Sequence, residues 1–237
     1  MKAVILAAGP GTRMGKDFPQ IPKSMLPMAG KPLIQDQIEH LKRFGILDFY
    51  INLHFLPEKI SNFLGDGSKF GVNITYSFEN KILGTSGALN NFKYYLDQSF
   101  IVLYGDIFTR IDFNKFLKFH KNKKSRASLL IHKTDHPEDS DLIKINDKNQ
   151  IKDIYTSPHT ESVSHTNYSS AAIYILEPNV LQYLPDKFSD FMEDFFPILL
   201  KKGINLYGYL SNEYSKDIGT PERYKIVQKE IEKLTKK

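Results

Sequence analysis

Two short segments near the start of the chain combine glycines with cationic side chains. The segment 6-LAAGPGTRMG-15 ends an apolar run with glycines and carries Arg13, and 22-PK-23 adds Lys23. Glycines let backbone N–H groups approach an anion closely, while cationic side chains neutralise phosphate charge. We therefore expect this part of the chain to bind a polyphosphate. The alternative is a tight turn with two surface cations.

The spacing of the glycines separates this loop from two better-known phosphate loops. Gly9, Gly11 and Gly15 read G-x-G-x-x-x-G, which is one residue longer than the dinucleotide fingerprint. No Gly-Lys-Ser/Thr follows them, as it would in a P-loop. The spacing disfavours a nicotinamide-dependent dehydrogenase and indicates a phosphate loop of another kind.

Two aspartates later in the chain offer carboxylates for a metal ion. Asp106 follows an apolar strand in 102-VLYGDI-107, and Asp217 opens 217-DIGTPERY-224. We expect both to lie in loops. A lone aspartate after a strand is more often a cap or turn residue, but carboxylate and phosphate oxygens together are the ligands that Mg²⁺ prefers.

The glycine-rich loop with Lys23 is a first motif, 102–107 a second and 217–224 a third. Taken in order, these three motifs resemble those of the sugar-phosphate nucleotidylyltransferases. The resemblance implies that Mg²⁺ is the cofactor, bound by Asp106 and Asp217, and that Arg13, Lys23 and Asp106 are catalytic. It also implies that 79-ENKILGTSGAL-89 lines the base and ribose. The implied nucleotide-binding residues are Leu6, Ala8, Gly9, Gly11, Thr12, Arg13, Lys23, Glu79, Gly84, Thr85 and Asp106. The implied sugar-phosphate-binding residues are Ser170 and Asp217.

The implied reaction joins a nucleoside triphosphate to a sugar 1-phosphate and releases pyrophosphate. Positioning and charge neutralisation suffice for this transfer, so no protein nucleophile is required. The segments 134-TDHPEDSDLIKIN-146 and 216-KDIGTPERY-224 most resemble guanylyltransferases acting on mannose or heptose 1-phosphate, which favours GTP. A uridylyl- or cytidylyltransferase, or a non-catalytic nucleotide-binding relative, remains an alternative.

The acceptor half departs from the family pattern. After the loop arginine, residues 15–18 read Gly-Lys-Asp-Phe instead of containing the usual proline and threonine. Relatives carry Glu-Lys-Pro where this chain has 155-YTSPH-159, and Asn-x-Gly where it has 170-SAAIY-174. The cations that could replace the missing lysine are Lys152, His159 and His165, each of which is also explained as a surface residue.

Histidine and cysteine offer little support for another metal. His132 and His136 flank a predicted strand end instead of sharing a helical face, which disfavours a zinc pair. There is no cysteine, so thiolate ligands and disulfides are excluded.

The hydrophobic pattern predicts an α/β fold. The predicted strands cover 2–8, 48–53, 73–77, 100–104, 127–133, 142–146, 150–155, 170–176 and 205–210. The predicted helices cover 32–44, a short segment after Pro57, about 84–96, 188–202 and a final helix opened by Thr220-Pro221. Alternating strands and helices indicate a Rossmann-like, doubly wound, mostly parallel sheet flanked by helices, with a small antiparallel β insertion. No hexapeptide period indicates a C-terminal β-helix.

We expect a single nucleotidyltransferase domain over residues 1–237. Its nucleotide-binding part covers about 1–125, its sugar-phosphate part about 126–220 and its C-terminal helix about 220–235.

Composition agrees with an ordinary globular protein. The formal charge of +5 comes from scattered lysines, so a nucleic-acid-binding stripe is not expected. No segment has the length of a membrane span or the flanks of a signal peptide, so we expect a cytoplasmic location. The sequence leaves open whether the chain forms a homodimer.

Overall fold

The computed structural model describes residues 1–17, 21–134, 137–158 and 166–235. The chain forms two compact units. Unit 1 consists of residues 1–82, 103–111 and 213–237, and unit 2 consists of residues 83–102 and 112–212. The predicted division near residue 125 concerns binding roles and stays a prediction.

The strands and helices, in chain order, are as follows. The strands are β1 (Lys2–Leu6), β2 (Pro27–Met28), β3 (Lys31–Pro32), β4 (Asp48–Leu53), β5 (Asn73–Phe78), β6 (Phe100–Tyr104), β7 (Ile107–Thr109), β8 (Ala127–Lys133), β9 (Leu142–Ile145), β10 (Ile151–Tyr155), β11 (Tyr168–Leu176), β12 (Leu206–Leu210) and β13 (Ser215–Asp217). The helices are α1 (Leu33–Lys42), α2 (Pro57–Leu64), α3 (Phe113–Asn122), α4 (Phe196–Lys201) and α5 (Pro221–Thr235).

Unit 1 is built on a parallel sheet. In this sheet β1, β4 and β5 lie side by side in that order, and β4 runs parallel to both β1 and β5. Strand β1 is a continuous apolar run whose central residues are fully buried, as expected of a strand covered on both faces. The carboxyl ends of parallel strands meet at one edge of a sheet, and ligands of α/β folds bind there.

A hydrophobic cluster holds the C-terminal helix against the glycine-rich part of unit 1. Its members are all buried in the same cluster: Met14, Leu26, Met28, Leu33, Phe108, Ile218, Tyr224, Val227 and Ile231. The Tyr224 hydroxyl also donates a hydrogen bond of 2.9 Å to the Pro27 carbonyl oxygen. Helix α5 is thus packed on the elements that flank the loop.

Unit 2 contains the antiparallel strands expected from the middle of the chain. Strand β9 pairs antiparallel with β10 and β11, and β8 pairs antiparallel with β11 and parallel with β12. Helix α3, which the hydrophobic pattern did not predict, begins at Phe113 and is preceded by Asp112. The Asp112 side chain accepts hydrogen bonds from the N–H groups of Asn114 and Lys115, the usual arrangement of an N-cap.

Three sequence expectations are corrected. The predicted helix over 84–96 is only a 3₁₀ turn at Gly87–Asn91, because Gly84 has φ +81°, outside the right-handed helical region, and the turn after it is held by the Ser189 carbonyl oxygen. The predicted helix over 188–202 is a π-helical turn, Phe191–Phe195, followed by α4. Asp217 was expected in a loop but ends strand β13, which pairs with β7.

The fold class itself is confirmed as an α/β fold with a mixed sheet, flanking helices and antiparallel additions. No β-helical segment occurs in the described ranges. Within those ranges no helix combines the length and apolar character needed to cross a bilayer.

Candidate functional site

The glycine-rich segment leaves the carboxyl end of β1 as an exposed loop. Gly9 and Thr12 are exposed, and the segment Thr12–Asp17 that follows consists of 3₁₀ turns interrupted by a kink at Gly15. Gly11 has φ +66°, a conformation that favours glycine, and a Cβ there would lie 3.2 Å from Cγ of Lys23. Gly11 is thus required both by the backbone and by the close approach of Lys23.

The backbone of Arg13 belongs to this segment, but its side chain lies outside the part of the chain that the structure describes. The role implied for the Arg13 guanidinium therefore stays a prediction.

Lys23 and Asp106 form the central ion pair of the site. Nζ of Lys23 donates a hydrogen bond of 2.7 Å to Oδ2 of Asp106. Both side chains are mostly buried, with 15% and 19% of their surfaces exposed. The first and second motifs are distant in sequence, yet the fold brings Lys23 and Asp106 together beside the loop.

The turn that carries Asp106 is held from two sides. The Gly105 N–H donates to the Leu6 carbonyl oxygen at 2.9 Å, and a Cβ on Gly105 would come 2.8 Å from that oxygen. The buried side-chain amide of Gln37 donates to the carbonyl oxygens of Tyr104, at 2.9 Å, and Ile107, at 2.7 Å. The backbone on each side of Asp106 is therefore fixed.

The β7–β13 ribbon brings Asp217 next to this turn. Asp217 is paired with Ile107, the residue after Asp106, and the Ile218 N–H donates to the Asp106 carbonyl oxygen at 2.9 Å. The two aspartates that the motifs predicted as metal ligands thus lie on neighbouring backbone segments.

Arg223 holds the carboxylate of Asp217. One guanidinium nitrogen of Arg223 lies 2.9 Å from both carboxylate oxygens, and Oδ1 also accepts from the Gly219 N–H at 2.9 Å. Arg223 lies in the first turn of α5, within the 217–224 motif, and the family resemblance implied no role for it.

A buried chain of hydrogen bonds supports the start of the loop. Oδ1 of Asn52 accepts from the Ala7 N–H at 3.0 Å, and Nδ2 of Asn52 donates to Oε1 of Glu79 at 2.8 Å. Glu79, a predicted nucleotide-binding residue, is only 7% exposed. Its position lies at the carboxyl end of the sheet, and sequence reasoning overlooked Asn52, which links it to β1.

Gly84, Thr85 and Ser170, three further predicted binding residues, belong to unit 2. The Thr85 hydroxyl donates to Oδ1 of Asp190 at 2.8 Å and accepts from the Phe191 N–H. A Cβ on Gly84, where φ is +81°, would clash with the backbone of Ser189. These contacts fix the 84–87 turn.

Ser170 lies where the register of β11 against β8 shifts. Its Oγ is 3.1 Å from the Tyr174 hydroxyl and also accepts from the N–H of Ala172, which has φ +55°. Ala172 thus adopts a left-handed conformation without being glycine, at the place where relatives carry Asn-x-Gly.

Of the substitute cations considered for the acceptor side, the structure describes one. Lys152 is exposed and donates to Oε1 of Gln150 at 2.8 Å. His159 and His165 lie outside the described residues, as do His136 of the disfavoured zinc pair and Phe18 of the divergent 15–18 segment.

The carboxylates of Asp106 and Asp217 suit a Mg²⁺ ion that is also bound by substrate phosphates. They do not form a metal site built from protein ligands alone. No group of three or more His, Asp or Glu side chains with metal-binding geometry occurs among the described residues. Mg²⁺ commonly binds one or two carboxylates and completes its coordination with substrate phosphates and water. Asp106, whose partner Lys23 approaches the glycine-rich loop, and Asp217, on the adjoining backbone segment, are carboxylates of the kind that this coordination uses.

Comparison with known families agrees with this geometry. The sequence model of the nucleotidyl transferases matches residues 2–233, nearly the whole chain. The chain belongs to the nucleotidyl transferase family. The family resemblance inferred from the three motifs is thereby confirmed.

This nucleotidyl transferase is similar to curated proteins that act on sugar phosphates. It is 32% identical over 239 residues to the UTP–glucose-1-phosphate uridylyltransferase of Synechocystis sp., covering 94% of this chain and 61% of the relative. It is 31% identical over 230 residues to mannose-1-phosphate guanylyltransferase 1 of Arabidopsis thaliana, covering 94% and 63%. The chain therefore spans less than two thirds of the length of these relatives.

A solved structure shares the fold of this nucleotidyl transferase. HddC from Yersinia pseudotuberculosis, crystallised in complex with GMP-PN, superposes with a TM-score of 0.80 at 26% sequence identity. The match covers 97% of this chain and 99% of HddC.

Proposed function

We propose that this chain is a sugar-1-phosphate nucleotidylyltransferase. In this reaction an anionic phosphate oxygen of the sugar 1-phosphate attacks the α-phosphorus of a nucleoside triphosphate. The bond from that phosphorus to the oxygen bridging to the β-phosphorus breaks, and pyrophosphate leaves. The observation that carries the proposal is the meeting of Gly11, Lys23 and Asp106 at the end of β1, where a phosphate loop, a cation and a carboxylate are needed together.

The residues of unit 1 have distinct roles in this proposal. The exposed backbone from Gly9 to Thr12, together with Arg13, binds the triphosphate. Lys23 offsets negative charge as two anions are brought together, and electrostatic stabilisation of this kind usually contributes more to catalysis than any other effect. Leu6, Ala8 and Glu79 complete the nucleotide-binding residues of unit 1.

Mg²⁺ is the cofactor in this proposal. Asp106 and Asp217 would hold it, and when bound it supplies additional neutralisation of phosphate charge. The chain's own contribution is to fix both carboxylates, through Gln37 and Gly105 around Asp106 and through the β7–β13 ribbon for Asp217.

Gly84 and Thr85 are assigned to the nucleotide and Ser170 to the acceptor. These assignments rest on the motif resemblance. The turn fixed by Asp190 and the bulge at Ser170 supply rigid backbone, which binding residues need.

We propose GTP and mannose or heptose 1-phosphate as the substrates. Support comes from the likeness of 134–146 and 216–224 to guanylyltransferases, from the guanylyltransferase relative, and from the HddC complex with GMP-PN. The uridylyltransferase relative makes UTP the first alternative. We place the reaction in the cytoplasm, and size-exclusion chromatography with light scattering would decide between monomer and homodimer.

The test is pyrophosphate release by the purified protein with each nucleoside triphosphate against a panel of sugar 1-phosphates, with and without Mg²⁺. Turnover with at least one pair, dependent on Mg²⁺, supports the proposal. Tight triphosphate binding without turnover on any acceptor would instead select a non-catalytic nucleotide-binding relative. The absence of the usual acceptor lysine at 155–159 is the observation that favours this second candidate.

A further inference from the structure

Each of the two proposed metal carboxylates is already neutralised by a cation of the same unit. Nζ of Lys23 lies 2.7 Å from Oδ2 of Asp106. Nη1 of Arg223 lies 2.9 Å from both oxygens of Asp217. Lys23 belongs to the phosphate-binding machinery, but nothing in the proposed reaction so far requires Arg223.

We infer that Arg223 is an exchangeable counterion of Asp217, which it neutralises while no divalent cation is bound and releases when one binds. Lys23 stands in the same relation to Asp106. The inference rests on the proposed function in one respect, because it takes these two aspartates to be the metal carboxylates.

Competition follows from the geometry at Asp217. A carboxylate has about four lone-pair sites, and here hydrogen-bond contacts already use three of them, two from Arg223 and one from the Gly219 N–H. A hard cation must contact a carboxylate oxygen directly and is repelled by the positive guanidinium. Metal binding at Asp217 therefore competes with Arg223 for this carboxylate.

The Arg223 side chain can move without disturbing the helix that carries it. It is 54% exposed, while the next residue, Tyr224, is buried and hydrogen-bonded to Pro27. Helix α5 is further anchored by Val227 and Ile231 in the hydrophobic cluster. Only side-chain rotation is needed. Because exposed ion pairs are weak, the guanidinium should weaken metal binding by only about two- to fivefold.

A purely structural role for Arg223 makes a different prediction. If the Asp217–Arg223 pair only stabilised the start of α5, removing it would lower stability and leave metal affinity unchanged or weaker. Metal affinity therefore separates the two roles.

The test measures Mn²⁺ binding to the nucleotide-free protein. Binding is monitored by the loss of the electron paramagnetic resonance signal of free Mn²⁺. Arg223→Gln should bind Mn²⁺ about two- to fivefold more tightly than Lys225→Gln. The second variant is the matched control, because it removes one positive charge from an exposed residue of the same helix. Equal or weaker binding by Arg223→Gln would overturn the inference.

A double-mutant cycle locates the effect. In an Asp217→Asn background, Arg223→Gln should no longer tighten Mn²⁺ binding, because the contested carboxylate is gone. A gain that persists there would also overturn the inference, since it would be a general charge effect.

Failure of this inference and failure of the proposed function give different results. Tighter Mn²⁺ binding by Arg223→Gln, with no pyrophosphate release by the wild-type protein on any acceptor, leaves the counterion role standing and rejects the reaction. Turnover by the wild-type protein, without tighter Mn²⁺ binding by Arg223→Gln, supports the reaction and rejects the counterion role.

Discussion

Lys23 donates a hydrogen bond of 2.7 Å to Asp106, although 83 residues separate them in the sequence. The pair lies beside Gly11, whose missing side chain leaves room for the lysine. This contact joins the phosphate loop to the proposed metal carboxylate.

Replacing Lys23 should weaken triphosphate binding more than it harms the fold. Lys23→Met removes a cation from phosphate oxygens, and a charged hydrogen bond contributes about 1.5–3 kcal/mol, equivalent to roughly 10- to 150-fold in affinity. Isothermal titration calorimetry with GTP and UTP measures the affinity of each variant for the triphosphate. Lys229→Met, an exposed residue of α5, is the control. Unchanged affinity in Lys23→Met would contradict the role given to this residue.

Gly105 should not tolerate a side chain. In Gly105→Ala the new Cβ meets the Leu6 carbonyl oxygen at 2.8 Å, so the backbone must shift, at a cost of about 1–3 kcal/mol of unfolding free energy. Gly9→Ala is the matched control, because nothing lies within 4 Å of a Cβ there, and it should change stability by less than about 0.5 kcal/mol. Urea unfolding compares the two variants. Equal stabilities would contradict the close contact between Gly105 and the Leu6 carbonyl oxygen.

Gln37 should matter for both stability and turnover. Gln37→Met keeps the volume but removes the donors to the Tyr104 and Ile107 carbonyl oxygens, which should cost about 1–3 kcal/mol of unfolding free energy and lower kcat by loosening Asp106. Gln35→Met alters a half-buried glutamine of the same helix that bonds only to Glu39 among the contacts described, and serves as control. Full activity in Gln37→Met would contradict the proposal that Gln37 positions Asp106.

Stability should fall as the solution becomes acidic. Burial lowers the pKa of His120 below its usual value of 6.5, despite the hydrogen bond to Glu177. The folded state then binds fewer protons than the unfolded chain, so the stabilisation is fully present above about pH 6.5 and is lost as pH falls below it toward the folded pKa. Urea unfolding at pH 7.5 and 5.5, roughly one unit either side of that value, should show a smaller loss in His120→Gln than in the wild-type protein. The same loss in both would contradict this account.

Most of the fold could be predicted, because strands leave a local signal. Strands β4 and β6 begin and end where the hydrophobic pattern placed them. The helix expected over 84–96 is absent because Gly84 has φ +81° in a turn held by Ser189. These residues are about a hundred positions apart, so no local pattern reveals the contact. The β7–β13 ribbon was also missed, because each strand has only three residues, too few to leave a hydrophobic pattern.

The site residues that belong to family motifs could be predicted from the sequence. The residues that hold them in place could not be predicted in this way. Lys23 and Asp106 were predicted from motifs, and the fold brings them into contact. Gln37 did leave a signal: it stands four residues from both Leu33 and Leu41, so a polar residue interrupts the apolar stripe of α1. Arg223 left none, because an arginine in the first turn of a helix is ordinarily a surface residue.

The measurement that tests the central claim most directly is Mg²⁺-dependent pyrophosphate release from GTP and mannose 1-phosphate, or whichever pair the panel selects, by the wild-type protein and by Asp106→Asn and Asp217→Asn. We expect turnover by the wild-type protein and a loss of at least about 100-fold in both variants, with circular dichroism spectra unchanged. Wild-type rates in the two variants would contradict the account, because the carboxylates beside Lys23 and Arg223 would then play no part in the reaction.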